Sequence, residues 1–332
     1  MAESNPEIGE LQTSQIYRIK GLRSLFYPDP SFTPEHCADL ENVQFTEKRT
    51  IDRRDGYVKW DQAQITESSA AQIVNGLFQA NHKTHGLVEY ITAGTKILMN
   101  NGTTRKDISV SGDALTAGRD NRTMFVHHAD KIFGTNNVDA PRQHDGNYAS
   151  GTLATAVSNI PFTKALVAVA HRNFLVFLNT TEGGVHKSTR VRWCDIDKST
   201  FTDIDVASWP SNHRYDVYED GPAIIGASDN FGRLLIFKGD GLYPTRLEFN
   251  IGNIELTINE EGIRRGFEPI APYSVVSRPE FTWVICRDGG YVVRPNMAVE
   301  HVTRDFTSAW DALKKADLTQ CVSFPLDHEH QV

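Results

Sequence analysis

Apolar residues in this chain come in short runs broken by tight turns. The clearest are RDGYVKW (54–60), EYITAGTKILMNNGTT (89–104), HADKIFGTNN (128–137), ASDNFGRLLIFKGDGLYPT (227–245) and WVICRDGGYVVRP (283–295). Glycine supplies the positive φ of hairpin turns, and the flanking branched and aromatic residues suit a half-buried pleat. The turns taken to define the fold are Asp55-Gly56, Gly94, Asp145-Gly146, Asp240-Gly241 and Asp288-Gly289.

Grouped by these turns, the runs form five units: 73–112, 122–146, a third led by KALVAVAHRNFLVFLNTT (164–181) and closed at 188–197, 222–249 and 271–306. Their starts recur every ~40–55 residues, a period of repeated blades rather than of one sandwich. The predicted fold is all-β, a β-propeller of about five to six blades with an extended N-terminal arm and a short C-terminal helix. The arm covers 1–35 and the propeller 36–332. A first hairpin is predicted between Asn42–Phe45 and Tyr57–Trp60. Helix signals fall on Glu67–Ala80 and Thr307–Leu318. The last run, CVSFPLDHEHQV, reads as a strand that either closes the ring on the first blade or continues further.

Composition narrows the function. A net charge of −8 argues against tight gripping of nucleic acid through its phosphates. Cys37, Cys194, Cys286 and Cys321 lie far apart, so no CxxC motif exists, and four cysteines in a chain of this length fit a reducing compartment. The opening residues lack a secretory layout and no apolar run is long enough for a membrane helix, so synthesis in a cytoplasm is expected.

Catalytic motifs of the phosphate-binding, dinucleotide, zinc-protease and nucleophile-elbow types are missing, and no cofactor or metal is predicted. His127 and His128 are adjacent on a strand and point to opposite faces, so they do not chelate one ion together. His328 and His330 share a strand face but lack a third ligand. Asp195 and Asp197, followed by Asp203 and Asp205, read as solvated carboxylates at a strand end rather than a calcium loop. Lys48, Arg49, Arg53 and Arg54 cluster around the first hairpin as diffuse surface charge or a contact to an acidic partner or phosphate. Trp60, Trp193, Trp209, Trp283 and Trp310 are scattered, without the loop clustering of a glycan site.

The order of motifs resembles the β-propeller nozzle and head-to-tail hub (DNA-stabilisation) proteins of tailed, especially short-tailed, bacteriophages. The motifs are DLENVQFTEKRTIDRRDGYVKW, GLFQA with YITAGTKILMNNG, TNNVDAPRQHDG, VAVAHRNFLVF with RWCDID, RLLIFKGDGLYPT and CRDGGYVV. They span roughly residues 36–310 in the family's order, with departures at TNN and RWCDID. The resemblance implies a non-catalytic virion protein of the neck or tail. It implies identical subunits in a ring, often six, around a channel for double-stranded DNA that passes without tight binding. Portal or adaptor and distal tail proteins would be its neighbours. Two other readings are a glycan-binding or glycoside-hydrolysing propeller and a scaffold propeller for protein partners.

Overall fold

The computed structural model describes residues 65–323 apart from 68–69, 103, 112–113, 150–153, 197–203, 206–207, 251–252 and 305–309; before residue 65 it describes only 21–22, 36–37, 43–45 and 51–53. The chain divides into two compact units, 1–60 with 303–313 and 61–302 with 314–332. In the smaller unit Gly21–Leu22 pairs in parallel with His36–Cys37. Val43–Phe45 pairs with Ile51–Arg53. The partner of Val43–Phe45 is thus 51–53, across a short loop with a low closure cost, and the 57–60 strand expected for this hairpin lies outside the described residues. Lys48, Arg49, Arg54, Asp55, Gly56 and Trp60 lie outside the described residues, as do His328 and His330.

The larger unit is a multi-bladed, β-propeller-like array with little helix. Five antiparallel sheets follow one another, each with its strands in sequence order. Blade 1 holds Val74–His82, Gly86–Ala93, Lys96–Asn100 and Arg105–Asp107. Blade 2 holds Met124–His128, Lys131–Thr135, Arg142–His144 and Thr155–Ala156. Blade 3 holds Lys164–His171, Phe174–Glu182, Val185–Trp193 and Arg214–Asp216. Blade 4 holds Ile224–Asn230, Arg233–Lys238, Gly241–Asn250 and Asn253–Ile258. Blade 5 holds Val276–Arg278, Phe281–Ile285, Gly290–Val293 and Val299–His301. The first strand of each blade packs on the first strand of the next.

Period-2 alternation explains how the blades stack. Along the second strand of blade 3, Phe174, Val176 and Leu178 enter the core shared with blade 4. Leu175 and Phe177 enter the core shared with blade 2. Leu234 and Ile236 of blade 4 face blade 3, while Leu235 and Phe237 face blade 5. Four hydrophobic clusters thus fill the four junctions between consecutive blades. The sequence pattern reads both the first strand (LVAVA, AIIGA) and the second (LVFL, LLIF) of a unit as apolar. Burial is more complete on the second strands, where Phe174–Leu178 and Leu234–Phe237 are wholly buried. A second strand has neighbours on both edges and both faces, so it has no solvent side.

Three of the expected turns join paired strands. Gly94 takes φ +59 in the two-residue turn after Ala93. Tyr243 donates to Asp240 and Tyr291 to Asp288, each at 2.7 Å, so blades 4 and 5 share one Asp-Gly-x-Tyr turn lock. Gly241, at φ +150, also lets Arg264–Arg265 pair alongside; a Cβ there would lie 2.1 Å from the Arg264 carbonyl oxygen. Asp145-Gly146 differs: it lies in the loop after Arg142–His144 and closes no hairpin.

The helix expected over Glu67–Ala80 is instead strand: Thr66–Glu67, Ala70–Ala71 and Val74–His82. Branched Ile73 and Val74 favour a pleat, and Gly76 lies where a Cβ would meet Thr92 Oγ1 at 2.7 Å. Of the helix expected over Thr307–Leu318, part lies outside the described residues. Lys315–Gln320 is a 3₁₀ turn, and extended backbone at Lys314 (ψ +99) separates it from the residues before.

Candidate functional site

The last residue of each first strand occupies one repeated position. It is His82, His128, His171, Asn230 and Arg278 in blades 1 to 5. There the chain turns, and its polar groups must bond across to the next blade. His171 Nδ1 donates to Asp229 Oδ1 of blade 4 at 2.9 Å, and its Nε2 accepts from the Leu247 amide at 3.4 Å. Asn230 donates to the Arg278 and Phe281 carbonyls of blade 5 at 2.7 and 3.1 Å.

The junction of blades 1 and 2 is more elaborate. His82 Nδ1 lies 3.1 Å from the Asp130 carbonyl oxygen and 3.6 Å from Asp130 Oδ1. Asp130 Oδ1 accepts the Lys83 amide at 2.6 Å, and Oδ2 accepts the Thr84 hydroxyl at 3.4 Å. These bonds outweigh the burial that pushes the carboxyl up, and Asp130 is held below the usual carboxylate range. His127 Nε2 reaches toward the same carboxylate at 3.9 Å, and its ring meets that of His82 edge-on at 5.0 Å. Burial, with His82 adding to it, pushes His127 down.

Below His82 sits Tyr90, whose hydroxyl lies 3.0 Å from His82 Nε2 and 3.1 Å from His144 Nδ1. Burial drives the Tyr90 phenol up and holds His144 down at about 4, so both are neutral at pH 7. The Gly146 amide donates to His144 Nδ1 at 3.0 Å. Gly146 has φ +83, and a Cβ there would lie 2.4 Å from His82 Nδ1, inside the ring's contact distance. The glycine assigned to a hairpin thus makes room for a buried histidine.

Sequence reading paired His127 with His128 and set both aside. The two do point apart, and His127 instead meets His82, 45 positions earlier in the chain. His82 and Asp130 were missed. A usable signal exists: ANHK (80–83), VHHAD (126–130) and VAHR (169–172) all place a histidine at the end of a blade's first strand. Asp195 is buried in a short strand pair opposite Asp205, not solvated as expected. The Asp197 and Asp203 carboxylates fall outside the described residues. Trp193 and Trp209 are buried core residues, unlike the exposed platforms of a glycan site.

No helix among the described residues is long and apolar enough to cross a membrane. No protein-family model matches the sequence, and no curated protein does. Among solved structures, the chain is similar to the extracellular domain of a hybrid two-component system from B. thetaiotaomicron (TM-score 0.44, 8% identity, 72% of this chain and 28% of that one). It is also similar to the Cps50 (Swd1) β-propeller domain of Myceliophteria thermophila (TM-score 0.43, 11% identity, 76% of each chain). A third is YCF48 from Cyanidioschyzon merolae (TM-score 0.39, 8% identity, 64% of this chain and 68% of that one).

Proposed function

We propose that this chain is a non-catalytic propeller protein that works in an assembly by binding protein partners. The observation that carries the reading is on blade 1. Its face toward blade 2 is packed, but on the opposite face Leu77 and Leu87 are 68% and 57% exposed. Ile73 and Val74, just before and at the start of the same strand, are also exposed. On this face Ile91 and Leu98 are buried while Leu77 and Leu87 stand exposed, and such exposed apolar side chains suit attachment to another protein.

Among such assemblies, the ordered motif series of the sequence favours the neck or tail of a phage virion, with copies of the chain ringed around a DNA channel. An acidic balance suits such a wall, because carboxylates repel phosphate and let DNA slide. The test is the mass of the purified chain by light scattering, with and without a portal-type ring, for the natural chain and for Leu77→Asp with Leu87→Asp. Assembly that the double substitution abolishes supports the reading. A monomer indifferent to the portal and to the substitution overturns it, and specific glycan binding by that monomer would promote the lectin reading.

A further inference from the structure

His82, His127 and Asp130 are, among the described residues, the one group of three metal-ligating side chains whose donor atoms all lie within 4.8 Å of one another. His82 is fully buried, whereas about a third of the Asp130 side chain is exposed, so the cluster opens to solvent on the Asp130 side. His127 Nε2 is buried without a hydrogen-bond partner. A tetrahedral ion with bonds of about 2.0–2.1 Å sets its ligand atoms roughly 3.4 Å apart. Two of the three separations, 3.6 and 3.9 Å, are already near that figure.

Counting protons shows what the network lacks. The Gly146 amide makes His144 Nδ1 an acceptor, so neutral His144 carries its proton on Nε2. Tyr90 has one proton for two histidines. Given to His82 Nε2, it leaves the Tyr90 oxygen facing the His144 lone pair. Given to His144 Nδ1, it leaves Tyr90 to accept from His82 Nε2–H, and His82 Nδ1 then turns a bare lone pair on Asp130. A positive centre at His82 Nδ1 lets Tyr90 donate to His144 and accept from His82, leaving in this chain of contacts only the buried His144 Nε2 without a partner. His171 shows the contrast: with Asp229 on one ring nitrogen and the Leu247 amide on the other, both its nitrogens have a partner.

We propose that this centre is a divalent transition metal of the zinc class, held by His82 Nδ1, His127 Nε2 and Asp130 Oδ1, which ties blade 1 to blade 2. Two imidazoles and a carboxylate suit Zn²⁺ and Co²⁺. The supporting bonds match those of a ligand set: His82 passes its other ring N–H to Tyr90, and the Asp130 carboxylate is fixed by Lys83 and Thr84. The turn that aims Asp130 is left-handed, as are the turns at the same place in blades 3 and 4, with Arg172 at φ +53 and Phe231 at φ +54. Ala129 and Asp130 take φ +48 and +57, a geometry that Asn-Gly adopts with less cost.

The test uses the full chain stripped with chelator and titrated with CoCl₂, then ZnCl₂. One Co²⁺ per chain with visible d–d absorption, displaced by Zn²⁺ and accompanied by a higher melting temperature, is the expected result. His127→Gln, at a partly exposed position, and Asp130→Asn each weaken binding at least about tenfold. His328→Ala with His330→Ala leaves it unchanged. Absence of the Co²⁺ band in the natural chain overturns the proposal and assigns the positive centre to a proton. So does binding that survives both His127→Gln and Asp130→Asn, or that is lost with the terminal histidines.

Discussion

Glu182→Gln tests how far blade 3 depends on one half-buried carboxylate. Glu182 ends the second strand and accepts Arg190 Nη1 at 2.9 Å, Arg192 Nε at 2.9 Å and Arg192 Nη2 at 2.8 Å. Arg190 and Arg192 are 8% and 4% exposed. Burial pushes the Glu182 carboxyl up, but the bonds and charges of Arg192 and Arg190 outweigh it and hold the group at about 2, against an ordinary 4.5. At ~1.36 kcal/mol per pKa unit that gap corresponds to roughly 3 kcal/mol. The Glu182 side chain is only 12% exposed, so solvent screening takes little from it. In Glu182→Gln, Arg190 keeps its two-point pair with Asp216, at 2.8 and 2.6 Å, but Arg192 loses its counter-charge and one of its two carboxylate bonds, keeping the Ser211 carbonyl at 3.3 Å and one amide oxygen. Stranding a buried guanidinium costs about 3–5 kcal/mol, in line with the first figure. The folded pKa is depressed, so the stabilisation is complete above pH 4.5 and is lost as pH falls toward 2. Urea unfolding followed by the fluorescence of buried Trp193 and Trp209 should show a deficit of about 3 kcal/mol at pH 7, with about 2 kcal/mol of it gone by pH 3. A deficit under about 1 kcal/mol at pH 7, or one that does not change with pH, would refute the reasoning.

Three further outcomes follow from buried groups elsewhere. His144 is held at about 4 by burial, below its ordinary 6.5; its contribution is intact above pH 6.5 and lost as pH falls through 4, so His144→Gln should flatten the stability profile across that window in urea melts. Gly146→Ala drives a methyl into the His82 ring at a positive φ and should cost about 2–3 kcal/mol by thermal unfolding. Lys238 is fully buried and donates to the Val217 and Tyr218 carbonyls beneath the Tyr243 ring; Lys238→Met strands the Val217 oxygen, while the Tyr218 oxygen keeps the Gly221 amide, and should cost about 1–3 kcal/mol, with circular dichroism reporting an unchanged strand content.

The five blades were legible because hairpin grammar is local. KGDGLY and CRDGGY each carry the turn, the glycine and the tyrosine that locks it within six residues. Alternation along FLVFL and RLLIF announces two apolar faces, which only stacked sheets accommodate. The helix signal at 67–80 misled because Ile73, Leu77 and Ala80 recur at helical spacing in a strand with a register shift between Val74 and Gly76. A bulge adds a residue and imitates another period. The histidine cluster was illegible for a different reason. His82, His127 and Asp130 come from two blades, and their meeting depends on which residue ends each first strand. A slip of one residue would turn every one of these side chains to the other face.

The repeated position at the end of each first strand poses one physical problem with several solutions. The chain reverses there, and in blades 1, 3 and 4 a buried or half-buried polar side chain is bonded by the blade ahead. Blade 4 answers with a neutral amide, Asn230, on carbonyl and hydroxyl partners of blade 5. Blade 3 answers with an imidazole between a carboxylate and a backbone amide. Neither arrangement needs anything from outside the protein. Blade 1 uses the same residue type as blade 3 but surrounds it with Tyr90, His144 and His127, whose donors and acceptors do not balance. If stability alone had shaped this junction, the His171 arrangement would have served again with fewer buried polar atoms. The surplus histidine and the glycine that clears the His82 ring both lie at this one junction. Their coincidence is what sets it apart from its repeats and makes it the place where this scaffold is adapted to a ligand.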